Sequence, residues 1–142
     1  MVVTATGAND AHQQLHKALV LCNGATFDSA TAHLPISERE VNGDATDGAI
    51  LLFTKSVTST SGIRDANSQI FQIPFDPKSK WMLTMFTGAS DEKRTEYLVF
   101  VKGAPDILLP KCTSYWSAVT GKTKPFDASA RSRLVARRES WF

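Results

Sequence analysis

The sequence predicts an α+β fold in which helices pack on an antiparallel β-sheet. Two observations favour this fold class. In two segments, over 11–23 and from Ala45 to Val57, the apolar positions recur every three or four residues, as on one face of a helix. From Ser68 the period changes to two, which is typical of strands. Helical and strand segments do not alternate along the chain as they do in a parallel doubly wound sheet. We expect residues 1–142 to form a single domain.

Two helices are predicted before the strands. The first covers residues 11–23 and would be capped by Asn9 or Asp10. The second begins near Ala45, after a turn. The apolar residues expected to face the core are Leu15, Ala18, Leu19 and Cys22 on the first helix, and Ala49, Ile50, Phe53 and Val57 on the second.

Three consecutive strands are predicted to form an antiparallel meander. On the first strand, Phe71, Ile73 and Phe75 would share one face. The predicted strands begin at Ser68, Lys80 and Thr95, with a turn over 76–79 and a charged loop over 88–94.

The third strand carries an unbroken apolar and aromatic run over residues 97–101, which favours a central strand covered on both faces. It stops in Lys-Gly-Ala-Pro-Asp, where Pro105 fits the first turn of a new helix. The remaining elements are predicted as a helix over 104–112, a hairpin around Thr120 and Gly121, and a last helix from Ala128, capped by Asp127.

The composition argues against several classes of protein. A net charge of +2 predicts no strong positive field, so no nucleic-acid partner is expected. No apolar run approaches the ~20 residues of a membrane span, so we expect a soluble chain without direct membrane insertion. Cys22 and Cys112 do not make a disulfide framework, and Cys22 is predicted to be a small core residue. The three histidines show no metal-ligand spacing, and no metal site is predicted.

The common nucleotide-binding and catalytic signatures are missing from the sequence. Three stretches remain as candidates for chemistry: 44–47, 75–80 and 102–106. In the last of them, Lys102 and backbone N–H groups at a strand-to-helix junction suit an anion such as a phosphate. A lysine at a strand end is more often a solvated surface charge.

Taken in order, Gly43–Asp47, then Pro74–Asp76 with Lys80, then Lys102–Asp106 resemble the nucleotide-binding domain of P-type cation-transporting ATPases. The resemblance covers nearly the whole chain and is strongest to the sodium/potassium-pump group. It implies a domain that holds ATP by its adenine for phosphoryl transfer to an aspartate on another domain. The implied partners are ATP and the phosphorylation and actuator domains of a parent pump, at the cytoplasmic face of a membrane. Magnesium would act in the full-length pump only.

The resemblance implies a nucleotide-binding role for five residues. Phe75 would carry the adenine on its aromatic face, and Lys80 would line the adenine and phosphate side of the pocket. Lys102 would lie at the bottom of the pocket, and Gly103 would admit the base closely. Asp47 stands where the family usually has a glutamate that accepts a hydrogen bond from the adenine amino group. Because aspartate is one methylene shorter, this contact would be longer or water-mediated.

Other interpretations of these residues remain open at this stage. Phe75 could be a core residue, in keeping with the period of Phe71 and Ile73. Asp47 could be an ordinary acid in the first turn of a helix. Met82 stands where the sodium-pump group tends to carry a glutamine, which removes one polar contact from the implied pocket.

Several parts of the resembled pump are not found in this sequence: the phosphorylated Asp-Lys-Thr-Gly-Thr motif, the membrane helices, the actuator Thr-Gly-Glu and the Gly-Asp-Gly motif. A later strand with a phosphate-contacting arginine is also missing, so we expect a C-terminally truncated fragment. Such a fragment would bind a nucleotide without hydrolysing it. The alternative is a non-catalytic α+β interaction module with no nucleotide binding.

Overall fold

The computed structural model describes residues 8–57, 61–87, 97–117 and 119–140. The predicted loop over 88–94 and the end of the predicted last helix, 141–142, lie outside these residues. The helices are α1 (Ala8–Leu21), α2 (Ala45–Val57), α3 (Ser61–Asp65), α4 (Pro105–Leu108) and α5 (Ala128–Glu139). The strands are β1 (Thr26–Phe27), β2 (Val41–Asn42), β3 (Ser68–Asp76), β4 (Trp81–Thr87), β5 (Tyr97–Gly103), β6 (Ser114–Ser117) and β7 (Lys122–Pro125).

The main sheet is the predicted antiparallel meander, with strand order β3-β4-β5. The α+β prediction is therefore confirmed. The expectation that β5 is the central strand was wrong, because within the described residues β4 is central and β5 pairs with β4 alone. Along β5, Phe100 is buried whereas Tyr97 and Val99 are exposed. An apolar run does not show how many neighbours a strand has.

The hydrophobic core lies between one face of this sheet and the first helix. Phe86 and Phe100 meet edge to face, with ring centroids 6.1 Å apart, on neighbouring strands. Ile63 of α3 and Leu98 pack against this core and are partly buried. The prediction that Cys22 is a core residue is confirmed. The buried cluster consists of Ala18, Leu21, Cys22, Met82, Phe86 and Phe100.

The first helix was predicted correctly in type, but its cap and part of its face differ. Asn9 and Asp10 lie inside α1 and do not precede it. Ala18 and Cys22 are buried as predicted, whereas Leu15 is exposed. Leu21 is also buried, as a member of the core cluster that contains Met82, Phe86 and Phe100 of the sheet.

The predicted apolar face of α2 was wrong. Phe53 and Val57 are exposed, and the buried positions of this helix are Asp47, Gly48, Leu51 and Thr54. Thr54 tolerates burial because its Oγ1 donates to the carbonyl of Leu51 at 3.0 Å. A hydrophobic period cannot identify a buried face that is built partly from satisfied polar residues.

The C-terminal part contains the predicted hairpin, formed by β6 and β7, and the predicted last helix, α5. The predicted helix over 104–112 is shorter than expected. It is α-helical only as far as Leu108, and a 3-10 turn, Leu109–Lys111, follows. Pro110 accounts for this end, since proline has no N–H to donate and restricts the residue before it.

Arg131 joins α5 to the turn that follows α4. Its guanidinium donates to the carbonyls of Leu109 and Cys112 and lies 4.5 Å from the centroid of the Phe126 ring. Arg131 of α5 therefore fixes the turn at the C-terminal end of α4. The N-terminal side of the same helix is continuous with β5 and with the cleft described next.

Candidate functional site

A cleft of about 320 Å³ lies between the N-terminus of α2, the β3–β4 turn and the end of β5. Its volume is at the lower end of the range of small-molecule sites. The five residues singled out in the sequence all line it: Asp47, Phe75, Lys80, Lys102 and Gly103. Asp44, Thr46, Met82 and Ala104 complete its wall.

Asp47 is the most buried polar residue of the cleft, with 3% of its surface exposed. It lies in the first turn of α2, and its N–H donates to Oδ1 of the helix-capping Asp44 at 3.0 Å. Its Oδ2 accepts from the N–H of Gly24 at 2.7 Å. The side-chain amide of Asn23 donates to its carbonyl at 3.0 Å. Asp47 is therefore an acid in the first turn of α2, as the alternative interpretation had it, and it is buried as well.

Lys102 forms an ion pair with Oδ1 of Asp47. The lysine side chain is 22% exposed, so the interpretation of Lys102 as a freely solvated surface charge was wrong. Burial lowers the pKa of Lys102, and the carboxylate of Asp44 acts in the opposite direction. A buried carboxylate beside this lysine favours its charged form.

Phe75 reaches the cleft because β3 is irregular. Ile73 pairs with Leu83 and Asp76 pairs with Trp81, so β3 carries one extra residue in this interval. The bulge turns Phe75 away from the face of Phe71 and Ile73 and into the cleft. Phe75 keeps 47% of its surface exposed and lines the cleft, so its side chain is accessible to a ligand there. The prediction that Phe75 shares a face with Phe71 and Ile73 was wrong.

Lys80 occupies the tight turn between β3 and β4. Asp76 holds this turn, because its carboxylate accepts from the N–H groups of Lys78 and Ser79 at 3.2 and 3.0 Å. Lys80 has a φ of 59°, the left-handed conformation that non-glycine residues adopt uncommonly. Its ammonium lies 3.7 Å from Asp106 Oδ2, and both side chains are more than half exposed.

The backbone and side chain next to position 103 leave no room for a Cβ, so the fold itself requires a glycine there. A Cβ at this position would lie 2.5 Å from the carbonyl oxygen of Lys80 and 2.8 Å from the Cα of Trp81. The neighbouring Ala104 N–H donates to the same carbonyl at 2.9 Å. Close approach between β5 and the start of β4 therefore explains the glycine. The sequence could not show this, because it does not give the strand register.

Comparison with known proteins agrees with this architecture. The family described as "P-type ATPase, cytoplasmic domain N" matches residues 11–141. The chain belongs to this family. It is 34% identical over 117 residues to potassium-transporting ATPase alpha chain 2 of Rattus norvegicus, which is 82% of this chain and 11% of that protein. It is 33% identical over 115 residues to the sodium/potassium-transporting ATPase subunit alpha-A of Artemia franciscana, with 80% and 11% covered.

The chain thus spans about a tenth of the length of these curated relatives. No helix in the described ranges is long and apolar enough to cross a membrane. Within the same ranges, no group of three or more His, Cys, Asp or Glu side chains could hold a metal ion.

Two features of this N domain were not foreseen from the sequence. The loop at Asn23 and Gly24 holds Asp47, because it donates hydrogen bonds to the carbonyl and to the carboxylate of that residue. Asp106 pairs with Lys80 across the mouth of the cleft. Both depend on contacts between distant parts of the chain, which no local motif contains.

Proposed function

We propose that this N domain binds ATP by its adenine in the cleft lined by Phe75, Lys80 and Lys102. In a whole P-type pump it would present the γ-phosphate to an aspartate on another domain. The observation that carries the proposal is the half-exposed ring of Phe75 beside two lysines, in a chain of the N-domain family. Both relatives described above are named as cation-transporting ATPases, which supports a cation pump as the parent protein.

The chemistry of the lining fits a purine nucleotide. Stacking of a base on an aromatic ring contributes about 1–3 kcal/mol. Lys102, at the bottom of the cleft, supplies N–H donors for ring nitrogens, and Lys80, at its mouth, supplies charge for phosphates. Met82 adds an apolar contact below the base, where it is buried against the core.

The charges of the cleft balance, which favours binding through the base. Asp44 and Asp47 oppose Lys80 and Lys102, so the lining carries two negative and two positive side chains. A phosphate chain therefore meets little net attraction. One stack and a few polar contacts must offset an association cost of at least about 4 kcal/mol. We expect a Kd on the order of 0.1–5 mM.

No group in this cleft needs to act as a nucleophile or as an acid–base pair under this proposal. In phosphoryl transfer the main requirements are positioning and charge stabilisation. The chain would position the nucleotide, and the phosphorylation domain of a whole pump would supply the aspartate and the magnesium site. The actuator domain would be its other partner in such a pump.

An amide NMR titration with ATP and then with AMP tests the proposal. Inorganic tripolyphosphate serves as the control, because it has the phosphate chain without the base. We expect both nucleotides to shift the amides of Phe75, Lys80 and Gly103 with similar affinities, and tripolyphosphate to shift them little. No shift up to ~10 mM ATP, roughly −3 kcal/mol at best, would overturn the proposal. A nanomolar constant would contradict the weak, base-anchored site.

A further inference from the structure

We propose that Asp47 is a positioning residue for Lys102 and does not accept a hydrogen bond from the amino group of the base. The inference deepens the proposed function and rests on it. It changes the role that the resemblance implied for Asp47. It also means that the amino group of adenine is not what this part of the cleft recognises.

Both carboxylate oxygens of Asp47 are directed to the protein itself. Oδ2 accepts from the Gly24 N–H at 2.7 Å, and Oδ1 pairs with the ammonium of Lys102. The side chain is 4% exposed, so a base stacked on the half-exposed Phe75 has little access to either oxygen. A carboxylate in this position acts on the ligand through the lysine that it holds.

The Asp47 carboxylate cannot turn toward the cleft without breaking several contacts. Its backbone is fixed on two sides, by the cap from Asp44 to its N–H and by the amide of Asn23 at its carbonyl. The aspartate side chain has only two rotatable bonds with which to reorient. A movement toward the base would leave the Gly24 N–H and the Lys102 ammonium without this partner, and both losses are costly in a buried site.

The pairing gives Lys102 a defined direction. A lysine ammonium has three N–H donors on a flexible stem, and one of them is directed to Asp47. The other two remain for a ligand in the cleft. Because the ion pair sets the position of the nitrogen, less side-chain freedom is lost when the ligand binds. The expected effect of Asp47 on affinity is therefore independent of whether the base carries an amino group.

ATP and ITP separate the two roles, since ITP carries a carbonyl where ATP carries the amino group. We expect the unmodified chain to bind both within about threefold. Asp47→Asn should weaken both by about tenfold and leave their ratio unchanged. The double variant Asp47→Asn/Lys102→Gln should lose no more affinity for either nucleotide than Lys102→Gln alone. Asp127→Asn, which removes a helix-capping carboxylate that does not line the cleft, is the matched control and should change neither affinity.

Selective loss of ATP affinity in Asp47→Asn, with ITP unchanged, would overturn the proposal. So would a preference for ATP of about tenfold or more in the unmodified chain, a measurement that remains possible if the variant fails to fold.

A second readout needs no nucleotide and separates this inference from the proposed function. The pKa of Lys102, followed by the NMR shift of its side-chain carbons, should fall in Asp47→Asn, because the charged ammonium loses its partner. If the Lys102 titration is identical in the two chains, Asp47 does not position the ammonium. If the titration shifts but ATP does not bind, the proposed function fails and the ion pair remains a structural feature.

Discussion

Phe71 and Phe75 lie four residues apart on one strand, yet they face opposite sides of the sheet. In a regular strand, residues i and i+4 point the same way. Phe71 pairs with Met85, while the extra residue between Ile73 and Asp76 turns Phe75 into the cleft. The two rings are exposed to a similar extent, 51% and 47%. They form a natural pair for separating ligand contact from packing.

Phe75→Ala should lower the affinity for ATP by at least fivefold, because it removes the stacking surface, worth about 1–3 kcal/mol. Phe71→Ala should leave the affinity unchanged. Both substitutions should lower the free energy of unfolding by a similar amount, about 1–2 kcal/mol, since similar apolar areas are lost. Calorimetric titration and urea unfolding measure the two effects. Equal affinities of the two variants would show that the Phe75 ring does not carry the base.

The comparison of Phe71 with Phe75 also shows which parts of the site were predictable. The three separate stretches that line the cleft were recognised because their residue types and order resemble a known family. The meander was predictable because period two begins in β3 and turn or loop residues separate three consecutive strand segments. The bulge was not, since a single inserted residue leaves no signature in the pattern of side chains.

Burial of polar residues was the other failure of prediction. The buried face of α2 contains Asp47 and Thr54, whose burial depends on partners elsewhere in the fold. Phe53 was assigned to the core from its spacing and is exposed. Periodicity predicts where apolar residues can be buried, whereas long-range hydrogen bonds decide where polar ones are.

Gly103→Ala should destabilise the chain by about 1–3 kcal/mol, because the new Cβ would overlap the backbone of Lys80 and Trp81. Gly62→Ala is the matched control. No atom lies within 4 Å of a Cβ at Gly62, and alanine favours the helical conformation of α3. Gly62→Ala should leave the free energy of unfolding unchanged or raise it by up to about 1 kcal/mol. Urea unfolding at fixed pH gives both values. A Gly103→Ala chain as stable as the parent would mean that the strand approach at this position is not tight.

Arg131→Lys should lower the free energy of unfolding by about 1–3 kcal/mol, although the charge is kept. A lysine cannot reproduce the planar fork that donates to Leu109 and Cys112 while lying over Phe126. Arg133 provides the control, since it is exposed on the same helix and donates only to Ser129 Oγ at 2.7 Å among the contacts described. Arg133→Lys should change stability by less than about 0.5 kcal/mol. Thermal and urea unfolding measure both variants. An equal loss of stability in Arg131→Lys and Arg133→Lys would argue against a specific role for the Arg131 guanidinium.

The two thiols should react at very different rates in the folded chain. Burial raises the pKa of Cys22, which is 2% exposed, so its thiolate is scarce at pH 8 and a reagent cannot reach it. Cys112 is only partly buried and should react first, about tenfold faster or more. Ellman's reagent should therefore show one fast thiol in the unmodified chain and in Cys22→Ser, and none in Cys112→Ser. In denaturing urea the two rates should become similar. A fast reaction of folded Cys112→Ser would show that Cys22 is open to solvent and that the packing of α1 on the sheet is looser than described.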